Sequence, residues 1–333
     1  MKSESGIQEK SYMTFFQKSK QNAIIIVALI VLVLLFWALN PNFLNEYNII
    51  SMAQSLAPYA ILGLGVTFAI ATGGIDLSIG TVCIASSVVA GKLYTDGLIP
   101  LGATIPVMIA IGALFGLING FLIARLKLPA FIATLGTMMV SRGLSAIIVN
   151  SPNVFFPTGT WFNRWFSNYN GFPVGLIWVL VFMLLCMYLM YKNVVGRYIL
   201  SIGSNEEATR LSGIPTDKYK MLAYLFTGIA AGIAAVFWSS SFVTVASATG
   251  NGMELDAIAG VYIGGTSAAG GVASVGGSVI GAAMLVVIRS GLNFVLAKYN
   301  LNVNSTYVTY VLTGVIVVIS VLVDILKNKK KKK

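Results

Sequence analysis

The sequence predicts an all-α, polytopic membrane protein. Three observations carry that expectation. Of 333 residues, 57% are hydrophobic and only 10% charged, against about 25% charged in ordinary soluble domains. Apolar runs near the length of a bilayer-spanning helix recur along the whole chain. The basic residues collect at alternate connections between those runs. Mean hydropathy is +0.84.

About ten spans are expected. The clear ones are 23–39, 102–124, 129–149, 173–191, 220–243, 275–297 and 306–326. The segments 51–72, 78–94 and 255–270 are rich in Gly, Ala, Ser and Thr. Small residues let helix backbones approach closely, so these three belong inside the bundle. A broken or re-entrant helix is the alternative for 255–270. Around the membrane domain, 23–326, lie an amino-terminal tail, 1–22, and a Lys-rich tail, 327–333. The first apolar run lacks a small-x-small exit and is read as a retained helix.

Charge sets the expected direction. With the amino terminus inside, the cytoplasmic side holds Lys2, Lys10, Lys18, Lys20, Arg125, Lys127, Lys192, Arg197, Arg210, Lys218, Lys220, Lys327 and Lys329 to Lys333. The external side holds Lys92, Arg164 and Lys298. That asymmetry places both termini in the cytoplasm. It also accounts for the net charge of +11 through attraction to anionic membrane lipid rather than nucleic acid.

Composition excludes several chemistries. The chain has no histidine, the commonest metal ligand and neutral-pH proton shuttle. Cys83 and Cys186 lie in apolar runs and read as buried thiols. The only Gly-Lys pair, Gly91-Lys92, is followed by Leu93, so no phosphate-binding loop of the Gly-Lys-Ser/Thr type is present. No nucleophile and base are paired, and no metal or cofactor of its own is expected. Transport that consumes ATP would need a separate polypeptide to hydrolyse it.

Two long connections stand out. The external one, 150–172, carries Pro152, Pro157, Trp161, Phe162, Trp165 and Phe172, which suit a short helix at the headgroup level. The cytoplasmic one, 192–219, contains the segment Gly203 to Gly213. Ser204 or Asn205 can cap a short helix there, Glu206 and Glu207 favour its positive end, and Arg210 its negative end. Ala208 and Leu211 fall within it, and Gly213 and Pro215 stop it. Alone, two such turns are marginal; a partner protein or an ordinary surface loop both fit.

Polar residues at membrane depth are the remaining candidates. Gly73 to Gly80 interrupts two apolar segments and contains Asp76, which suits either a helix cap or a conduction path. Glu254 to Gly260, led by Glu254 and Asp256, is a loose echo of it, followed by Gly264-Gly265-Thr266-Ser267. Paired irregular segments of this kind suggest an internal repeat. Arg142 and Arg289 lie inside spans, each within two turns of the outer end, and snorkelling to the interface is the expected account for them.

Taken in order, these motifs are similar to those of the membrane-spanning permease subunits of bacterial ABC sugar importers, in the ribose, xylose, arabinose and galactoside branch. The resemblance rests on Gly73–Gly80, Gly116-Leu117-Ile118-Asn119-Gly120, the 129–144 segment, Gly203–Gly213, Glu254–Ala259, Gly264–Ser267 and Gly291-Leu292-Asn293. It covers roughly residues 45 to 324. It implies a ten-helix bundle like that of the vitamin B12 importer, working as a permease dimer of identical or paralogous subunits. Cytoplasmic ATPase subunits would hold ATP and Mg, and an external sugar-binding protein would deliver the cargo.

In that family Gly203 to Gly213 looks like the helix that couples to the ATPase. Pathway or helix-break candidates are Gly74, Asp76, Ser78, Asn119, Thr134, Arg142, Glu254, Asp256, Thr266, Ser267 and Asn293. The chain departs from the family at the polar turn around Lys298, Tyr299, Asn300, Asn302 and Asn304, and at Asn251-Gly252-Met253. The expected function is import of a ribose-like or other simple sugar by alternating access. Alternatives are a non-sugar cargo, such as a nucleoside or signalling molecule, in the same importer class, or an ion-coupled secondary transporter.

Overall fold

The structure is a computed structural model that describes residues 22–149, 153–246, 250, 252–299 and 305–331. Most of the amino-terminal tail, Pro152, Asn251, the turn 300–304 and the last two lysines lie outside the described residues.

The helices are α1 (Asn22–Leu39), α2 (Glu46–Ala71), α3 (Ile79–Thr95), α4 (Thr104–Ala124), α5 (Ala130–Val149), α6 (Trp161–Phe166), α7 (Gly175–Met187), α8 (Val194–Ser204), α9 (Glu206–Leu211), α10 (Thr216–Ser241), α11 (Met253–Ile263), α12 (Val275–Lys298) and α13 (Ser305–Lys331). A π-helical turn, Tyr188–Lys192, extends α7. Two three-residue strands, β1 (Asn153–Phe155) and β2 (Thr244–Ala246), pair antiparallel, with Val154 opposite Val245. They are a small β addition to the all-helical chain expected from sequence.

Seven helices among the described residues are long and apolar enough to cross a membrane: α1, α2, α4 with its leading turn, α5, α7 with its π turn, α10 and α12. Helix α3 and the Tyr307–Ile319 stretch of α13 are shorter apolar helices. The segment 255–270 is not a continuous span. Helix α11 has 11 residues, about 16 Å at 1.5 Å per residue, which is half of a hydrocarbon core. It ends because Gly265 takes φ +89°. In that left-handed conformation Gly265 N–H reaches the Tyr262 carbonyl at 3.0 Å and Thr266 N–H the Val261 carbonyl at 3.2 Å, a glycine-terminated stop that satisfies the last carbonyls. Gly73 ends α2 in the same way, its N–H 2.9 Å from the Ile70 carbonyl and that of Gly74 3.3 Å from Ala69.

The core lies around α2 and α10. From Ala57 to Ala71 every residue of α2 is buried, and α10 packs on both α2 and α4. The α4–α10 contact is glycine on glycine. A β-carbon on Gly116 would come within 2.9 Å of Gly228 Cα, and one on Gly112 within 2.7 Å of the Gly232 nitrogen. Only hydrogens let the two backbones approach this closely.

The aromatic connection 150–172 does form a short helix, α6. Its Phe162 is fully buried and stacks on Phe156 at 5.9 Å between ring centroids. Asn163 ties it to the end of α10 through the Ser240 carbonyl at 2.9 Å. The two strands and α6 therefore cap one end of the bundle, and α9 lies at the other.

Candidate functional site

Two helices begin inside the bundle, and their starts meet. A β-carbon on Gly80, in the first turn of α3, would lie 2.7 Å from both the Glu254 nitrogen and Glu254 Oε2 in α11. The two irregular segments that echo each other in sequence are thus in contact. Helix N-termini carry partial positive charge, and each start places carboxylates there: Asp76 ahead of α3, Glu254 and Asp256 in the first turn of α11.

Asp76 is buried and sits two residues before the N-cap position, Ser78. Its Oδ1 accepts the Ser78 N–H at 2.9 Å and the Ser78 hydroxyl at 2.6 Å. The chain of bonds continues outward. Asn119 Nδ2 donates to Ser78 Oγ at 2.9 Å, and Thr137 Oγ1 donates to Asn119 Oδ1 at 2.7 Å. Ser141 donates to Thr81 at 2.9 Å, and Thr81 to the Ser78 carbonyl at 3.0 Å. Thr134 bonds the carbonyls of Ala130 (2.8 Å) and Ile75 (3.2 Å). Gly74 leaves room for the Tyr224 hydroxyl, which a β-carbon there would strike.

Sequence reasoning named Asp76, Ser78, Asn119 and Thr134 but missed Thr137 and Ser141. The signal was available. Thr134, Thr137, Ser141 and Ser145 recur at helical spacing and form one buried polar stripe on α5, facing α3 and α4.

Glu254, Asp256 and Arg142 line a cavity of about 660 Å³ with Met138, Tyr310 and Thr313, between α5, α11 and α13. Glu254 Oε1 accepts the Gly252 N–H at 3.3 Å, while its buried Oε2 has no hydrogen-bond partner among the described residues. Asp256 uses both oxygens: Oδ1 accepts from Thr313 at 3.3 Å, and Oδ2 pairs with Arg289. Arg289 also donates to the Tyr59 hydroxyl and lies 5.3 Å from that ring's centroid. Snorkelling is therefore not its arrangement. A carboxylate buried on the facing helix satisfies the guanidinium better than a stretch to the interface would. Asn293, four residues on, lines a second cavity of about 280 Å³ beside the same ion pair.

Thr266 and Ser267 are placed differently from the other pathway candidates. Thr266 Oγ1 accepts the Ser274 N–H at 3.0 Å, and Ser267 N–H bonds the Val272 carbonyl at 3.0 Å. Both brace the turn between α11 and α12.

At the opposite end of the molecule, the segment read as one short helix is divided. Gly203 and Ser204 close α8, and α9 begins at Glu206. Asn205, not Ser204, is the cap: its side chain accepts the Ala208 N–H at 3.0 Å. Glu206 pairs with Lys220 of α10, and Glu207 with Arg210. The hydrogen bond that Arg210 donates to Glu207 raises the Arg210 pKa and favours the charged guanidinium. Gly213, at φ +81°, closes the helix. Leu211 projects outward, 79% exposed.

Gly203 itself packs into the bundle against the Ala71 carbonyl at the end of α2 and the Gly271 nitrogen in the α11–α12 turn. That position explains why the residue is glycine, and it separates Gly203 from the exposed face of α9.

A permease family model, described as the permease component of the branched-chain amino acid transport system, matches residues 48–321. The chain belongs to this permease family. The ribose import permease protein of Escherichia coli (strain K12) is 35% identical over 92% of this chain and 93% of its own. The ribose import permease protein of Bacillus subtilis (strain 168) is 34% identical over 90% and 91%. The D-allose transport system permease protein of Escherichia coli (strain K12) is 31% identical over 90% of each chain. No solved structure matches. These relatives are permease subunits of ABC transporters, and the apolar helices are those of a membrane protein.

Proposed function

We propose that this permease is the membrane subunit of an ATP-driven importer that passes a monosaccharide into the cytoplasm by alternating access. The ribose and allose names of its relatives support a simple sugar as cargo. The charge asymmetry of the sequence supports cytoplasmic termini in a cell membrane. The seven long helices, with α3, α13 and the broken α11 segment, would supply ten membrane segments in a bundle like that of the vitamin B12 importer. Two such subunits would work together, with an external sugar-binding protein above and ATPase subunits holding ATP and Mg below.

The observation that carries the reading is the position of α9. It is short, capped at both ends, exposed along Glu207, Arg210 and Leu211, and joined without slack to α8. Through Gly203 it abuts both the end of α2 and the α11–α12 turn. A push on α9 would therefore reach both helix breaks. Exposed charges suit a contact that must loosen and tighten during turnover. The sugar itself needs no intramembrane ion coupling, and the polar groups at Asp76, Asn119 and Glu254 would offer weak successive contacts along the route.

Reconstitution with the ATPase and binding protein tests this. Reversing Glu206 and Glu207 to lysine is expected to lower sugar uptake at least tenfold while the isolated permease keeps its melting temperature within a few degrees. Unchanged uptake together with unchanged ATPase association would refute the coupling assignment.

A further inference from the structure

The cavity of about 280 Å³ between α2, α10 and α12 is distinct from the larger chamber beside α13, and its lining is chemically specific. Its only charges are Arg289 and Asp256, which neutralise each other in an ion pair. It therefore presents a neutral surface to whatever enters. Around that pair stand groups free to make hydrogen bonds. Ser55 and Asn293 both line the cavity, and no hydrogen bond ties up either side chain among the described residues.

The remaining walls are aromatic. Trp238 lies 4.4 Å from Phe242, centroid to centroid, and meets Tyr59 edge-on at 6.3 Å. A pocket that combines flat rings with a few neutral donors and acceptors fits a ligand with an apolar C–H face and a rim of hydroxyls. An anion would find the guanidinium already paired. A hydrocarbon tail would leave the Ser55 hydroxyl and the Asn293 amide unsatisfied. The volume falls below the roughly 300–1,000 Å³ of pockets that hold drug-sized ligands, which suits a single sugar ring.

We infer that this cavity is a monosaccharide-binding subsite within each permease subunit, with Asn293 and Ser55 as its hydrogen-bonding residues and Trp238 and Phe242 as its ring walls. The inference rests on the proposal that the cargo is a simple sugar. Asp256 connects the subsite to the larger chamber: one carboxylate oxygen faces Arg289, the other faces Thr313 in the chamber wall. A sugar that drew Arg289 toward itself would loosen its hold on Asp256 and alter that wall.

The test uses the full-length chain in lipid nanodiscs, with D-ribose, D-allose and D-fructose as probes in saturation-transfer NMR, and uptake by the complete importer alongside. Trp238→Ala removes the ring wall. Asn293→Leu removes the amide at an exposed position and leaves the fold intact even if the first variant does not assemble. At least one probe is expected to receive saturation from the wild-type chain, and Asn293→Leu is expected to weaken its binding at least fivefold and raise the KM for uptake. Binding and KM unchanged in Asn293→Leu would overturn the subsite while leaving sugar import standing, as would equal saturation transfer from nanodiscs lacking the protein. A complete importer that moves none of the three sugars, although the permease binds one in an Asn293-dependent manner, would refute the cargo assignment and support the subsite.

Discussion

Gly203 in α8 rests directly on the carbonyl of Ala71, the last residue of α2, with no space for a side chain between them. The same carbonyl accepts the Gly271 N–H at 3.0 Å. Gly270 packs on Gly73 in turn, where a β-carbon would lie 2.7 Å from the Gly73 nitrogen. Three chain segments therefore meet backbone to backbone: the end of α2, the end of α8 and the turn between α11 and α12. This junction lies between α9 and both helix starts that carry the buried carboxylates.

Gly203→Ala should break that junction. Its neighbours are backbone atoms, which cannot rotate away as a side chain would, so the helix itself must move. Overpacking of this kind costs about 1–3 kcal/mol. Uptake is expected to fall at least tenfold and the melting temperature to drop, while α9, on the exposed side, still binds the ATPase. Loss of ATPase binding with unchanged thermal stability would contradict the junction role.

The cap of α9 gives a milder test. Asn205→Ala removes the side-chain acceptor for the Ala208 N–H and is expected to cost about 1 kcal/mol in local helix stability. Because α9 is six residues long, that loss is concentrated in the element proposed to contact the ATPase. Hydrogen exchange at Ala208 and Thr209 should accelerate several-fold in Asn205→Ala and return toward wild type in Asn205→Ser. Exchange unchanged in both variants would show that the contacts of α10, not the cap, hold the helix.

The limits of the sequence as a guide follow from which interactions are local. The seven long spans, the helix over 206–211 and the irregular starts before 79 and 253 all depend on apolar runs, caps and glycines close in sequence, and all were readable. Asp76 and Asp256 were identifiable because carboxylates among apolar residues demand an explanation. Their partners were not, since Arg289 lies 33 residues from Asp256 and Asn119 lies 41 from Ser78. Near the end of a span, an arginine reads as snorkelling until the facing helix is known. The packing of Gly203 was hidden for the same reason: it reads as the first residue of the 203–213 segment, and only Ala71 and Gly271 in space reveal its contact. The end of α11 at Ile263 was obscured because Gly264-Gly265 resembles the close-packing glycines of a continuous span.

The Arg289–Asp256 pair should behave as a unit. Removing one member leaves the other without its counter-charge in a low-dielectric setting, a change that costs about 3–5 kcal/mol when both are fully buried. Arg289 is 37% exposed at the side chain and Asp256 6%, so Arg289→Met, which strands the buried carboxylate, should be at least as damaging as Asp256→Leu, which strands a partly exposed guanidinium that keeps the Tyr59 hydroxyl. The double variant Arg289→Met/Asp256→Leu should recover part of the lost melting temperature. Strictly additive losses would show that the two side chains are not coupled.

The contact between Asn119 and Thr137 is the most exacting test of the buried network. Asn119 is 1% exposed; its amide nitrogen serves Ser78 and its oxygen serves Thr137, so no simple substitution can meet both demands. Asn119→Leu fills the volume and leaves the Thr137 hydroxyl without its side-chain acceptor, which is expected to cost about 1–3 kcal/mol. Thr137 retains a bond to the Thr134 carbonyl at 3.1 Å, which places the loss toward the lower part of that range. Thr137→Val in the Asn119→Leu background should then cost less than it does in the wild type, because the hydroxyl no longer has Asn119 to bond. A double-mutant cycle on thermal or denaturant unfolding reads that coupling directly. A coupling energy near zero would mean that the α4–α5 contact is held by packing alone, and that the chain of bonds from Thr137 to Asp76 contributes nothing to fixing the start of α3.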